Sequence, residues 1–110
     1  MPEIASSTVA EIIILARELP RAENEFDSFI ESLNESEQSA LVAMMWIGRG
    51  AFEPEDWDEA VRTAGEERHT PTASYLKGSP HLADHLESGL EALGISARDE
   101  EDQLYRWGET

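Results

Sequence analysis

The longest apolar run of the chain lies near its middle, where residues 41–47 read Leu-Val-Ala-Met-Met-Trp-Ile. Apolar side chains at consecutive positions cover every face of a helix, and such a helix is enclosed by other elements. A buried strand is the competing interpretation of a run of this length. Asn34 and Glu37 have the spacing of a capping pair, and most residues within the run are good helix formers. We therefore predict a buried central helix over residues 35–47.

A Gly-Arg-Gly turn at residues 48–50 follows the central helix. Glycine tolerates the positive φ that commonly ends a helix, so we expect at least one of these two glycines to adopt it. Pro54 suits the first position of the next helix, where its missing N–H is no loss. Phe52 and Trp57 stand where a hydrophobic staple would place them. The pattern predicts two helices that meet at a sharp turn.

Four further segments have the apolar spacing or the boundary signals of helices. The Ile-rich residues 12–15 could form a strand, because β-branched residues favour strands. The apolar positions around them repeat at helical spacing, which favours a helix. The predicted helices are 8–19, begun by a Thr8–Glu11 capping box; 23–33; 70–77, closed by Gly78; and a last helix opened by Ser79-Pro80 and ended at Gly94.

Leucine recurs along one side of the last predicted helix, at residues 82, 86, 90 and 93. A narrow leucine stripe of this kind is usually buried in the core of its own chain. The same pattern also forms the seam of helical dimers, so a homodimer is the alternative.

These elements predict an all-α fold, a small single-domain bundle of about five or six helices around the buried central helix. The spacing of residues around the central turn is like that of an EF-hand helix–turn–helix with Gly50 as the loop glycine, but the turn lacks calcium ligands. Calcium needs oxygen donors at the entry positions of the loop, and these positions hold Met45, Ile47 and Arg49.

The chain of 110 residues is long enough for one domain with a single modest core. We expect a disordered lead-in at residues 1–7, the helical domain at 8–95 and an acidic C-terminal tail at 96–110. The apolar residues of the tail could fold back and anchor it on the domain, and these are Leu104, Tyr105 and Trp107.

The chain carries 24 acidic and 8 basic residues, a net charge of −16. Phosphate binding needs a basic face, so this charge argues against direct nucleic-acid binding and disfavours anionic membranes. It favours solubility and leaves open a basic protein partner. The absence of cysteine excludes disulfides, thiol catalysis and Cys-ligated zinc. Without a basic leader or a long apolar span, we expect a cytoplasmic protein that does not enter membranes.

Two histidines are the weak candidates for a metal site. His81 and His85 are spaced i, i+4, as metal ligands on a helix can be, but no glutamate lies between them in the HExxH arrangement. Two ligands without a third make a weak site, so we expect surface histidines and no bound metal. The chain has no Gly-x-Ser-x-Gly elbow and no phosphate-binding glycine loop. The sequence therefore predicts no catalytic residue and no cofactor.

Four residues are candidates for partner binding: Arg49, Trp46, Trp57 and Tyr75. Arginine can hold a carboxylate or a phosphate of a partner, but Arg49 precedes a helix start that is crowded with acids. We expect it to pair there with Glu53, Glu55 or Asp56. The three aromatic residues are expected in the core or in an interface.

Two spaced motifs, EQSALVAMMWIGRGAFEPEDW and TASYLKGSPHLADHLESGLEALG, carry a family resemblance. The first is a Leu-Val-Ala-rich helix that ends in Trp-x-Gly-Arg-Gly, and the second is a Thr-Ala-x-Tyr-Leu-x-Gly-x-Pro segment before a leucine helix. From about Leu33 to Gly94 the chain resembles a bacterial family known as domain of unknown function 3775. The resemblance implies a bacterial, cytoplasmic, single-domain protein, and it carries over no functional residue.

The leading hypothesis is a non-enzymatic protein-interaction or regulatory module with an unknown protein partner. An alternative is an acidic inhibitor that mimics DNA on a nucleic-acid-binding protein. Mimicry needs acids spaced like phosphates over one face, whereas many acids here stand in the first turns of helices, where the helix dipole explains them. A less favoured alternative is a metal-dependent enzyme that uses His81 and His85 with a distant third ligand.

Overall fold

A computed structural model describes residues 4–67 and 70–94 of the chain. Within these ranges the chain forms helices and no strand, which confirms the predicted all-α bundle. A 3₁₀ turn at Pro54–Asp56 leads directly into the fourth helix. The six α-helices are α1 (Ser6–Arg17), α2 (Glu23–Glu31), α3 (Glu35–Arg49), α4 (Trp57–Glu66), α5 (Thr72–Lys77) and α6 (Leu82–Ala92).

Helix α3 is the centre of the bundle, as its uninterrupted apolar run predicts. It packs against α4, α5 and α6, while α1 packs on α2 and α6, and α2 packs on α5. Residues 39–47 are all buried, so every face of this stretch is covered. The predicted capping box is present: the Glu37 N–H donates to Asn34 Oδ1 at 2.8 Å, and the Asn34 N–H donates to Glu37 Oε1 at 3.0 Å.

The Ile-rich segment in α1 is helical rather than extended. Ile12 and Ile13 are buried against the bundle, whereas Ile14 is exposed. Two consecutive buried residues fit one face of a helix. In a strand, Ile12 and Ile13 would point to opposite faces.

The start of α1 differs from the prediction. The helix begins at Ser6, and Ala5 precedes it without a side-chain capping bond, so the predicted Thr8–Glu11 capping box is wrong. Ile4 is also buried. Folded structure therefore begins inside residues 1–7, the stretch that the sequence assigns to a lead-in.

Helices α5 and α6 begin later than predicted. Pro71 is the N-cap residue of α5 and therefore lies immediately before the helix rather than inside it. His81 precedes α6 in the left-handed conformation, with φ 57° and ψ 37°. Because this conformation is not that of a right-handed helix, Ser79 and Pro80 cannot be continuous with α6, which starts only at Leu82.

Gly50 ends α3 with a φ of 88°. Its N–H donates to the Ile47 carbonyl at 3.0 Å, and the Ala51 N–H donates to the Trp46 carbonyl at 2.8 Å. These two bonds form a Schellman motif, which satisfies the last carbonyls of the helix. The expectation that one glycine of the turn has a positive φ is confirmed at Gly50.

Gly48 has a different role from Gly50, because it lies inside α3 where that helix meets α6. A Cβ atom at Gly48 would collide with the carbonyl oxygen of His85, and one at Gly89 would collide with that of Met44. The two helices therefore approach each other through their backbones. Glycine is required at both positions because no side chain fits between the helices.

The partly buried side-chain amide of Gln38 connects α2, α3 and α5. Gln38 Nε2 donates to the Leu33 carbonyl at 3.0 Å and to the Ile30 carbonyl at 3.2 Å, at the end of α2. Thr72 Oγ1 donates to Gln38 Oε1 at 2.9 Å. One side chain on α3 thus positions both the end of α2 and the start of α5.

Lys77 at the end of α5 provides a second connection to α2. Its Nζ lies 2.8 Å from Glu23 Oε2 and 2.8 Å from Asp27 Oδ1. Hydrogen bonds to Asp27 and then Glu23 raise the pKa of Lys77 above its ordinary value of 10.5.

The leucine stripe of α6 is core. Leu82, Leu86 and Leu90 are buried within the single chain, and Leu93 packs at the edge of the same cluster. These leucines are therefore not available as an exposed seam for a second copy.

The acidic tail predicted at 96–110 lies outside the described residues. Among the helices described, none combines the length and the apolar character needed to cross a membrane.

Candidate functional site

An open cavity of about 220 Å³ lies between α3, α4 and α5. Helix α3 contributes three side chains to it at i, i+3 and i+7, a spacing that places them on one face. The end of α4 and the start of α5 form the opposite wall. The lining residues are Ser39, Val42, Trp46, Ala64, Glu67, Thr70, Thr72 and Tyr75.

Trp46 and Tyr75, two of the predicted candidates, meet at this cavity. Trp46 Nε1 donates to the Tyr75 hydroxyl at 2.9 Å. Phe52 stacks on Trp46 with ring centroids 5.6 Å apart and an angle of 19° between the planes. Trp46 is only 8% exposed, so its ring is held by neighbours on the protein side.

Tyr75 is the exposed member of this pair. It is 39% exposed, one of two large apolar side chains among the described residues that remain open to solvent. Its position follows from the short helix α5, in which Ala73 and Leu76 face the core. The aromatic ring therefore stands at the wall of the cavity while its hydroxyl is oriented by Trp46.

The polar groups around the cavity are hydroxyls and one carboxylate. Thr72 directs its hydroxyl to Gln38, whereas Glu67 and Thr70 are exposed. No lysine, arginine or histidine lines the cavity among the described residues, which omit Arg68 and His69.

The other two predicted candidates lie apart from this cavity. Trp57 is 8% exposed and packs in the core, and its Nε1 has no hydrogen-bond partner within the described residues. Arg49 is exposed beside the central turn. The expected pairing with Glu53, Glu55 or Asp56 is not found, since the ion pairs in the described part involve Arg17 and Lys77.

The two histidine candidates lie at the start of α6. His81 is outside the helix and His85 is inside it, with ring centroids 6.4 Å apart and the rings nearly perpendicular. Across residues 4–67 and 70–94, no group of three His, Cys, Asp or Glu side chains could hold a metal ion. Within the described residues, the fold therefore brings no third ligand to His81 and His85.

Sequence reasoning missed most of the cavity wall. Ser39 and Val42 share a face of α3 with Trp46, and this periodicity could have been read from the sequence. Glu67 and Thr70 carry no local signal, because their role depends on how α4 and α5 are brought against α3. The helical pattern shows which residues share a face, but not which distant segment covers that face.

Comparison with known proteins gives one match. Residues 23–95 match the model of a family described as "Protein of unknown function (DUF3775)". The match spans about two thirds of the chain and includes every described residue that lines the cavity. No curated protein and no solved structure shows significant similarity to the chain. The chain therefore belongs to the DUF3775 family.

Proposed function

We propose that this chain is a non-enzymatic, cytoplasmic protein-interaction module that binds a basic partner protein. The observation that carries the proposal is an acidic segment at residues 53–59, before and within the first turn of α4. It contains five exposed acids, Glu53, Glu55, Asp56, Asp58 and Glu59. None of them forms an ion pair with another residue of the described part.

The surplus charge of the chain supports a role in association. Like charges at close spacing repel one another, and a basic partner would relieve this repulsion while it forms new ion pairs. The field of a chain with a net charge of −16 would also speed the encounter with such a partner. The helix dipole favours acids at the start of α4, and the same five carboxylates are exposed and open to a basic partner.

The aromatic residues beside the cavity also suit a role in binding. Tyr75 is exposed at the cavity wall and Trp46 donates a hydrogen bond to its hydroxyl. Aromatic side chains of this kind are enriched in protein interfaces.

The test is affinity capture from an extract of the source organism, with three forms of the full chain as bait. The first is wild type, and the second carries Glu53→Gln, Glu55→Gln and Asp58→Asn in the acidic segment. The third is a matched control with the same loss of three charges elsewhere: Glu11→Gln, Glu18→Gln and Glu25→Gln. These control positions are also exposed.

We expect one basic protein to be retained by wild type and by the control, to elute with salt, and to be lost from the acidic-segment variant. Equal retention by both triple variants would contradict the proposal, because net charge alone would then explain binding. Displacement of the captured protein by duplex DNA would point instead to an inhibitor that mimics DNA.

A further inference from the structure

We propose that helix α5 is a strap that opens from α2 and α3 while the rest of the bundle stays folded, and that Lys77 is the latch that holds it closed. This inference goes beyond the proposed function and does not depend on it, because it concerns only how α5 is attached. It rests on the small apolar surface that α5 buries, on the polar character of its attachments and on the position of Lys77.

Helix α5 buries little apolar surface of its own. It has six residues, Thr72–Lys77, and Leu76 is its one large apolar side chain that is fully buried. In α3, by contrast, residues 39–47 are all buried. A helix shorter than about 12 residues is not stable by itself in water. Segments with few buried apolar contacts open at a lower free energy than the core does, so the closed position of α5 depends on its attachments.

Two side-chain hydrogen bonds attach α5 to α3. Thr72 Oγ1 donates to Gln38 Oε1 at 2.9 Å, near the start of α5. Trp46 Nε1 donates to the Tyr75 hydroxyl at 2.9 Å, in its middle. Water can replace the partners of both bonds once α5 opens, so each bond stabilises the closed position only modestly.

The attachment that involves full charges lies at the end of α5. Lys77 Nζ is 2.8 Å from Glu23 Oε2 and 2.8 Å from Asp27 Oδ1 on α2, and the Lys77 side chain is only 21% exposed. Hydrogen bonds between charged groups are stronger than neutral ones. Glu23 and Asp27 are spaced i, i+4, so their charges repel each other when Lys77 is withdrawn. Closing α5 therefore forms two ion pairs and removes a repulsion within α2.

Opening of α5 would change the surface of the bundle at one place. It would withdraw Leu76 from the core cluster and release the Trp46 indole N–H from the Tyr75 hydroxyl. Trp46 also stacks on Phe52, with ring centroids 5.6 Å apart, so the release reaches the turn between α3 and α4. The latch thus determines whether an apolar face of α2 and α3 is covered or open.

The test is hydrogen exchange of the full ¹⁵N-labelled chain, followed by NMR for each amide at neutral pH. The Tyr75 N–H donates to the Pro71 carbonyl and the Gly78 N–H to the Ser74 carbonyl, so both amides report on α5. In wild type, after correction for intrinsic rates, they should exchange at least about tenfold faster than amides in the buried part of α3. Equal protection of α5 and α3 would overturn the strap without any variant.

Three variants test the latch. Lys77→Met keeps an unbranched side chain and removes the charge. It should speed exchange of the Tyr75 amide and of the Trp46 indole N–H by about tenfold, and leave backbone amides in α3 and α6 unchanged. Lys77→Arg keeps the charge and should keep most of the protection. Arg17→Met is the matched control, because Arg17 is also paired with two acids but joins α1 to α6, and it should leave α5 unchanged.

Each departure from this pattern would overturn the proposal. Faster exchange in every helix, or loss of folding, in Lys77→Met would mean that Lys77 stabilises the bundle as a whole. An unchanged Tyr75 amide would mean that Lys77 is not the latch, and equal acceleration by Arg17→Met would reduce the effect to net charge. Exchange in Lys77→Arg as fast as in Lys77→Met would show that the charge does not hold α5. None of these results bears on the acidic segment, so affinity capture tests the proposed function separately.

Discussion

Gly50 shows how one residue can be required for its backbone alone. Its φ is 88°, and an added Cβ would have no atom within 4 Å. Any cost of a side chain there would therefore come from the left-handed backbone rather than from a clash. The adjacent Arg49 is the opposite case, because its side chain is exposed and forms no ion pair with another described residue.

We predict that Gly50→Val lowers the free energy of unfolding by on the order of 1–3 kcal/mol, since a β-branched residue tolerates positive φ badly. Gly50→Asn should be milder, because asparagine visits the left-handed region more readily. Arg49→Ala should change stability by less than about 0.5 kcal/mol. Urea unfolding of the three variants beside wild type measures these differences. A larger loss for Arg49→Ala than for Gly50→Val would show that Arg49 belongs to a stabilising network.

At the scale of elements, the contact between α3 and α6 determines how the bundle is packed. Gly48 and Gly89 allow the two backbones to touch, and an added Cβ at either residue would meet a carbonyl oxygen of the other helix. A backbone carbonyl cannot rotate away as the end of a flexible side chain can. The helices would have to separate, which would loosen the buried contacts along both of them.

We predict that Gly48→Ala and Gly89→Ala each lower the free energy of unfolding by about 1–3 kcal/mol or more, the usual cost of overpacking. Gly65→Ala is the matched control, because Gly65 lies in α4 and its added Cβ would meet only Ser39 Oγ at 3.4 Å. Alanine is the better helix former, so this control should be neutral or stabilising by up to about 1 kcal/mol. Chemical denaturation measures whether each variant is less or more stable than wild type. If all three variants behaved alike, α3 and α6 would not be in backbone contact.

At the scale of the whole molecule, negative charge is the dominant property. Arg17 and Lys77 each pair with two acids in the described part, but a net charge of −16 remains. Arg17 and its partners are exposed, and ion pairs of this kind contribute little to stability. Repulsion among the remaining acids therefore opposes the compact state at neutral pH.

We predict that sodium chloride raises the melting temperature at pH 7, because about 0.15 M salt shortens the range of charge repulsion to about 8 Å. The triple variant Glu11→Gln, Glu18→Gln, Glu25→Gln should melt higher than wild type at low salt and respond less to added salt. Differential scanning calorimetry across a salt series tests both statements. A melting temperature that falls with salt would mean that native ion pairs outweigh the repulsion.

Local patterns were sufficient to predict the helices and several of their ends. The Asn34–Glu37 capping box and the positive φ of Gly50 depend on residues within one turn of the chain, so their signals are present in the sequence. Burial of the central run follows in the same way, because a helix that is apolar on every face has to be enclosed. The exception is Thr8, where a matching local pattern is overridden because the helix already extends to Ser6.

Only the tertiary structure decided which distant residues meet. Gly48 and Gly50 look alike in the sequence, yet one permits contact with α6 and the other ends a helix. Trp46 and Tyr75 are 29 residues apart, and their hydrogen bond exists because α5 is placed against α3. Glu67 joins the same cavity through the packing of α4. Periodicity determines which face of each helix is apolar, whereas the angles and distances between helices come from side chains of both partners fitting together.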